Sequence, residues 1–267
     1  MKTLSYFSIL VLFLTTGLEV SGQNLHTRQA PLPCLNKKFT IVAHIVRDSL
    51  GNLGAQQADI LTDVDSLNLA FEPICVSFEV CEFRIIENFQ YDTLTNNEFD
   101  ELQNQYNVQN RINMYFVNST DDPLALCGQA TQNGIGILDS GGIVILKECV
   151  GQRRAMPHEM GHYFGLLHTF EEEGAELVDG TNCETVGDLI CDTPADPYEH
   201  PRPVTAYVSE EEGCRFISND RDANGEFYEP DVGNYMSHYP NSCACGFTYD
   251  QYVFMANSYL ATDPRMW

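Results

Sequence analysis

The chain has 267 residues, with 38 Asp and Glu against 14 Lys and Arg, for a formal net charge of −24. That length suits one domain whose core needs neither metal nor disulfide to be large enough. Its acidity excludes nucleic acid and anionic membranes as partners and makes divalent cations the ions of interest. Residues 1–22 read as a secretory signal: Lys2 supplies the charge, Tyr6 to Leu14 is an apolar run, and Val20-Ser21-Gly22 offers the small residues of a cleavage point. The run is too short for a membrane span and no later stretch reaches the required length. The expectation is therefore a secreted, extracellular protein with no membrane insertion. Ten cysteines, Cys34, Cys75, Cys81, Cys127, Cys149, Cys183, Cys191, Cys214, Cys243 and Cys245, fit that compartment as disulfides. There is no CxxC pair, so a thiolate zinc ribbon has no support, and the spacing leaves the connectivity open.

Residues 23–36 form a short lead-in with Pro31 and Pro33, and the main domain runs over 37–267. Lys38 to Val46 is β-branched and apolar, which predicts a buried strand. Ile60, Val64, Leu67 and Phe71, with Leu61, recur at helical spacing over Ala58 to Phe71. Ile74 to Ile86 alternates as a strand, Ile112 to Val117 is a short one, Cys127 to Gln132 reads as an edge strand, and Ile143 to Leu146 is another. A helix is expected to start near Gln152, with Pro157 tolerable only in or near its first turn. This alternation makes an α/β (α+β) lobe of about 37–167. From 168 to 267 a second lobe is irregular, rich in Gly, Asp, Glu, Pro and Cys, and closes on a helix over Tyr249 to Leu260. A long segment of that kind is expected to be tied down by its cysteines and carboxylates.

The chemistry concentrates in His158-Glu159-Met160-Gly161-His162-Tyr163-Phe164-Gly165-Leu166-Leu167-His168. His158 and His162, four apart on a helix, project from one face and can share one zinc ion. Gly165 can adopt the left-handed conformation that ends a helix, bringing His168 back as a third ligand. Three protein ligands leave a position for water, the arrangement of catalytic zinc. Glu159 beside the first ligand is placed to take a proton from that water as it attacks a peptide carbonyl, then pass it to the leaving amine. Chance produces a bare HExxH in roughly one such chain in a hundred, and the added Gly165 and His168 lower that to about 10⁻⁵.

The motif resembles that of the metzincin metalloproteases, HExxHxxGxxH followed by a methionine turn, here Asn234-Tyr235-Met236-Ser237. With His168-Thr169-Phe170, Gly187-Asp188-Leu189-Ile190-Cys191-Asp192-Thr193-Pro194 and Phe247-Thr248, the chain is similar to the pappalysin (cytophagalysin-like) family over about residues 140–260. The resemblance implies a twisted five-stranded mixed sheet with a backing helix and an active-site helix above an irregular, disulfide-tied lobe. It implies a zinc metalloendopeptidase acting on protein or peptide substrates, with Met236 as a hydrophobic base beneath the metal. Where the clan has a tyrosine two residues after the methionine, this chain has His238, with Tyr239 next. Either could assist catalysis as a hydrogen-bond donor, and a plain structural histidine is the competing reading. Cys34 could cap the zinc as a thiolate, against a structural disulfide.

Two segments are calcium candidates. Asp220-Arg221-Asp222-Ala223-Asn224-Gly225 has the spacing of a calcium loop, with Asp231 at its twelfth position, against an ordinary Asp/Asn/Gly turn. The family resemblance points instead to Asp188 and Thr193. Two other functions compete with an endopeptidase: a thermolysin-like hydrolase, which the spacing of His168 opposes, and a catalytically silent metal- or calcium-binding interaction module. Ser237 to Cys245, beside the expected specificity pocket, holds no acidic residue, so a preference for basic side chains has no evident source. Substrate, oligomeric state and latency are not legible.

Overall fold

The computed structural model describes residues 30–121, 126–137, 141–172 and 174–262. The signal segment and the first half of the lead-in lie outside these. In chain order the elements are β1 (Lys37–Val46), α1 (Gln57–Phe71), β2 (Val76–Ile86), β3 (Thr93–Leu94), α2 (Asn96–Tyr106), β4 (Ile112–Val117) and β5 (Ser119–Thr120). They continue with β6 (Gly128–Ala130), β7 (Ile143–Leu146), α3 (Ala155–Tyr163), β8 (Val208–Ser209), β9 (Arg215–Phe216) and α4 (Tyr249–Leu260).

Five strands form one mixed sheet in the order β2-β1-β4-β7-β6. The first four are parallel and β6 alone runs antiparallel, against β7. β1, β4 and β7 are buried along almost their whole length, which is why they read as unbroken apolar runs rather than alternating ones. On one face α1 sets Ile60, Val64, Leu67 and Phe71 into the core beside Met156, Met160 and Phe164 from α3 and its end. Leu61 belongs to the same helix but faces solvent. On β2 the register slips between Ile41 and Val42, so Cys81 is the extra residue of a bulge, a common device on an edge strand.

Helix α2 has no counterpart in the expected elements. Its buried apolar side chains are only Phe99 and Leu102, too few to carry a helical period. Its start is marked by a capping box, with Thr95 and Glu98 each satisfying the other's backbone amide. At the far ends of β1 and β7, Lys147 Nζ donates to Val46 O at 2.6 Å and to Asp92 Oδ1 at 2.5 Å, both side chains nearly out of solvent.

The expected disulfides form between Cys34 and Cys75, Cys127 and Cys149, Cys183 and Cys191, and Cys214 and Cys243. Cys81 and Cys245 remain free and exposed. Bonded to Cys75 beside β2, Cys34 forms the structural disulfide and has no thiolate to offer a metal. Residues beyond α3 carry a small core of their own, built from Phe170, Tyr198, Tyr207, Val208 and Tyr239. The buried Asp196 carboxylate ties it together, accepting from Thr169 Oγ1 at 2.7 Å, Tyr239 Oη at 2.5 Å and the Tyr198 amide at 3.0 Å.

The Lys147–Asp92 pair makes a direct prediction. Asp92→Ala leaves a buried ammonium without its carboxylate and lowers unfolding free energy by about 3–5 kcal/mol, as read from urea denaturation. A loss within error of an exposed-site control such as Asp100→Ala contradicts the assignment.

Candidate metal centre

The active helix begins on an arginine. Arg154 closes the first backbone bond of α3, accepting from His158 N at 3.0 Å, and its guanidinium reaches across to the turn after Asn234. There it donates to Tyr239 O, to Tyr235 O at 3.3 Å and to Ser237 Oγ at 3.4 Å. Burial lowers its pKa to about 10, so it stays a cation at neutral pH. Pro157 falls in the first turn, where its missing amide costs no helical bond.

The helix stops at Tyr163 by a Schellman arrangement: Leu166 N donates to Gly161 O at 3.0 Å and Gly165 N to His162 O at 2.8 Å. Gly165 has φ +100, a conformation that side chains resist, so glycine is required here. The reversal returns His168 to the face carrying His158 and His162. Their Nε2 atoms converge, with His162 3.2 Å from His158 and 3.0 Å from His168.

The hydrogen atoms on these rings follow from their neighbours. His158 Nδ1 lies 2.7 Å from Tyr235 O and His162 Nδ1 lies 2.8 Å from Leu166 O. A carbonyl only accepts, so both Nδ1 atoms carry the proton and both Nε2 atoms present lone pairs. Burial is the largest cause that lowers all three pKa values, His162 to about 4, so the rings are neutral. Lone pairs about 3 Å apart repel unless a cation lies between them. Two nitrogens bound tetrahedrally to zinc at about 2.0–2.1 Å are about 3.3 Å apart, which these separations approach. The donor set fits a zinc ion.

Glu159 is 4% exposed and faces the same space from the other side of the helix turn. Its Cγ and Cδ sit against Gly128 of β6, where an added Cβ would lie 3.0 and 3.1 Å from them. A side chain at 128 would push the carboxylate away. The triad, Glu159 and Arg154 line a cavity of ≈ 710 Å³ together with β6 on one side and Tyr198 to Val204 on the other.

Met236 is fully buried and packs its sulfur against Gly161, one residue before His162; any Cβ there would collide with it. Its turn is held by Asn234, whose Oδ1 accepts from Met236 N at 2.8 Å and whose Nδ2 donates to Gln251 of α4 at 2.9 Å. His238 and Tyr239 both line the cavity but differ in their partners. The His238 ring lies 4.6 Å from that of His168 and 5.6 Å from that of His158, and it lines the cavity. Its Nδ1 is buried without a hydrogen-bond partner, and burial lowers its pKa to about 3. Tyr239 spends its hydroxyl on Asp196 in the second core. Of the two candidates after the methionine, His238 has its ring beside the triad, whereas the Tyr239 hydroxyl donates to Asp196.

The two calcium candidates also part. In the 220–231 loop, Asp220 Oδ2 is held by Arg202 at 2.6 Å and by Ser218 at 2.6 Å. Asp222 accepts the amides of Asn224, Glu226 and Val178, and Asp231 accepts that of Gly233. Asn224 contributes its amide to this turn, so the loop is an Asx-type turn with its carboxylates engaged. Asp188 and Thr193 differ. Asp188 Oδ2, Thr193 Oγ1 and Glu176 Oε2 are all buried without a hydrogen-bond partner, Thr193 lying beside Asp188 but outside bonding geometry. Burial, then mutual repulsion, pushes Glu176 up to about 7; burial pushes Asp188 up to about 7 against the amide of Ile190. Glu176 carries no motif and stands twelve residues before Asp188, so nothing in the sequence marked it; Arg154 went unmarked as well.

Known proteins resemble this chain in sequence and in shape. The family described as pregnancy-associated plasma protein-A, peptidase M43, matches residues 145–260. An extracellular metalloprotease of Pyricularia oryzae is 33% identical over 102 residues, 38% of this chain and 28% of that protein. One of Aspergillus oryzae is 30% identical over 104 residues, 39% of this chain and 27% of that protein. The match thus spans less than a third of the length of these curated relatives. Mature mirolysin of Tannerella forsythia, solved in complex with a cleaved peptide, has the same fold at a TM-score of 0.59 and 18% identity, covering 82% of this chain and 89% of that one. Residues 145–260, which hold the three histidines, Glu159 and the Met236 turn, are thus similar to the peptidase M43 (pappalysin) family of metalloproteases.

Proposed function

We propose that this protein is a secreted zinc metalloendopeptidase that hydrolyses peptide bonds of extracellular proteins or peptides. The convergence of three neutral Nε2 atoms beside the buried Glu159 carboxylate carries this reading. His158, His162 and His168 would hold the ion, which when bound supplies Lewis acidity and a water of lowered pKa. Glu159 accepts the proton of the attacking water and returns it to the leaving amine. His238, neutral at the cavity wall, is placed to donate a hydrogen bond to the carbonyl oxygen as charge develops there. Arg154 acts at one remove, fixing the Met236 turn under the helix so that the rings keep their spacing. Main-chain groups of Gly128 to Ala130 border the cavity on a sheet edge, which suits a substrate bound in extended form.

Export is supported by the apolar run after Lys2, by four disulfides and by relatives named as extracellular. Residues 37–267 are taken as the catalytic domain, its cleft between the lobes of about 37–167 and 168–267. We also propose a structural calcium ion on Asp188, Thr193 and Glu176, whose buried Asp188 Oδ2, Thr193 Oγ1 and Glu176 Oε2 atoms have no hydrogen-bond partner among the described residues.

Glu159→Gln is expected to retain one zinc per chain and to lose cleavage of a peptide library by at least about 10³-fold. Zinc bound with undiminished cleavage removes Glu159 from the chemistry, whereas zinc bound with no cleavage by wild type favours a binding module. His238→Ala is expected to lower kcat by about 10²–10³-fold with KM little changed, and an unaltered kcat makes His238 structural.

Calcium should raise Tm of the chelator-stripped protein, and the rise should shrink as pH falls from about 7.5 to about 5. The sign follows from the raised pKa values. Between about 4 and 7 the folded protein binds more protons at these carboxylates than the unfolded chain, so their burden without calcium is greatest at high pH. Glu176→Gln should stabilise the calcium-free protein and blunt the response; a calcium-dependent rise equal to that of wild type removes Glu176 from the site.

A further inference from the structure

Two of the three triad rings are oriented by the backbone and the third is not. His158 and His162 each give Nδ1–H to a carbonyl. Among the described residues no carbonyl takes that hydrogen from His168. What faces its Nδ1 is the carboxylate of Glu171, Oε2 at 3.9 Å.

Glu171 is well placed to hold this position. Its amide closes a turn onto His168 O at 3.1 Å, which ties Glu171 to the residue whose ring its side chain approaches. Phe170 stacks on the other side of the geometry, its ring centroid 4.7 Å from that of His168 at 18°. Stacking fixes the plane of the imidazole but does not select which edge turns inward. An acceptor at Nδ1 does select it, since the hydrogen then sits on Nδ1 and the lone pair on Nε2. Closing 3.9 Å to about 2.9 Å completes the bond.

We propose that Glu171 is a positioning residue of the metal centre, accepting the Nδ1–H of His168 and directing its Nε2 to the point shared with His158 and His162. This rests on the reading of the triad as a zinc site. Three neutral imidazoles bring no charge to a divalent ion, and Glu171 would be the carboxylate coupled to the ligands through a ring. Such a partner raises ligand basicity and holds orientation, and its loss typically weakens metal binding by about 10–100-fold.

The test is zinc affinity, measured by competition with a chromophoric chelator on the full-length protein. Glu171→Ala should bind zinc about 10–100-fold more weakly than wild type, and Glu171→Gln, which keeps an acceptor without the charge, should fall between them. Glu172→Ala removes an equal charge from the exposed neighbour and should match wild type. Thermal midpoints of the metal-free proteins should stay together, separating ligand positioning from general stability. Equal affinity of Glu171→Ala and wild type overturns the inference, as does equal weakening by Glu172→Ala. If Glu171→Ala does not fold, Glu171→Gln decides, and wild-type affinity in it overturns the inference. A wild type that takes up no zinc overturns the metal-centre reading itself, a distinct failure.

Discussion

Three imidazole lone pairs pointed at one another are a repulsive arrangement, and the protein around them is organised to hold it. Neutral rings with Nδ1 on Tyr235 O and Leu166 O have no freedom to swap tautomers, so their Nε2 atoms must face inward. The cost of that convergence in the metal-free state is offset when a cation arrives, which makes the site's structure and its affinity the same physical fact. Each supporting feature can be read as a way to keep the Nε2 atom of His162 about 3 Å from those of His158 and His168. The Schellman turn at Gly165 returns His168, and Met236 against Gly161 sets the height of the helix over the turn.

The second lobe contributes little regular structure but much of the restraint. Arg154 spans from the helix start to the carbonyls of residues 235 and 239, and Asn234 runs on to Gln251 of α4. Asp192, from the Gly187-to-Pro194 segment, accepts from Thr248 Oγ1 and from the Asp250 amide at the start of the same helix. Asp196 joins Thr169, just after the third histidine, to Tyr239, just after His238. These contacts link both flanks of the triad through buried polar groups, where an unpaired partner is expensive and geometry is correspondingly well defined.

Much of the fold was legible because its signals are local. β1, β4, β7, α1 and α4 announce themselves by apolar runs or by helical period, and their observed bounds differ from the expected ones by a residue or so. α2 was missed because two buried apolar residues make no period, although Thr95 and Glu98 marked its start. The acidic loop was ambiguous for the opposite reason. Its Asp and Asn spacing serves a turn as well as an ion, and the contacts that engage its carboxylates, the amides around Asp222 and Arg202 beside Asp220, are not visible in that spacing. Disulfide pairing was illegible, since ten cysteines admit many connectivities and chain proximity favours none of them.

The residues 158–168 by themselves determine the histidine donor set proposed for zinc: an i, i+4 pair lies on one helix face, and a glycine able to take φ +100 returns a third histidine, all within eleven positions. What the tertiary structure decides is everything that acts on those rings from far along the chain. The carbonyl that fixes His158 is 77 residues away, the guanidinium contact to residue 239 spans 85, and the Tyr239 hydroxyl is bound by Asp196, 43 residues before it. The same holds for Glu176, which meets Asp188 only when the second lobe is folded. Helical spacing is short-range geometry and survives in the sequence, whereas hydrogen bonds and repulsions between distant segments exist only once the chain has closed on itself.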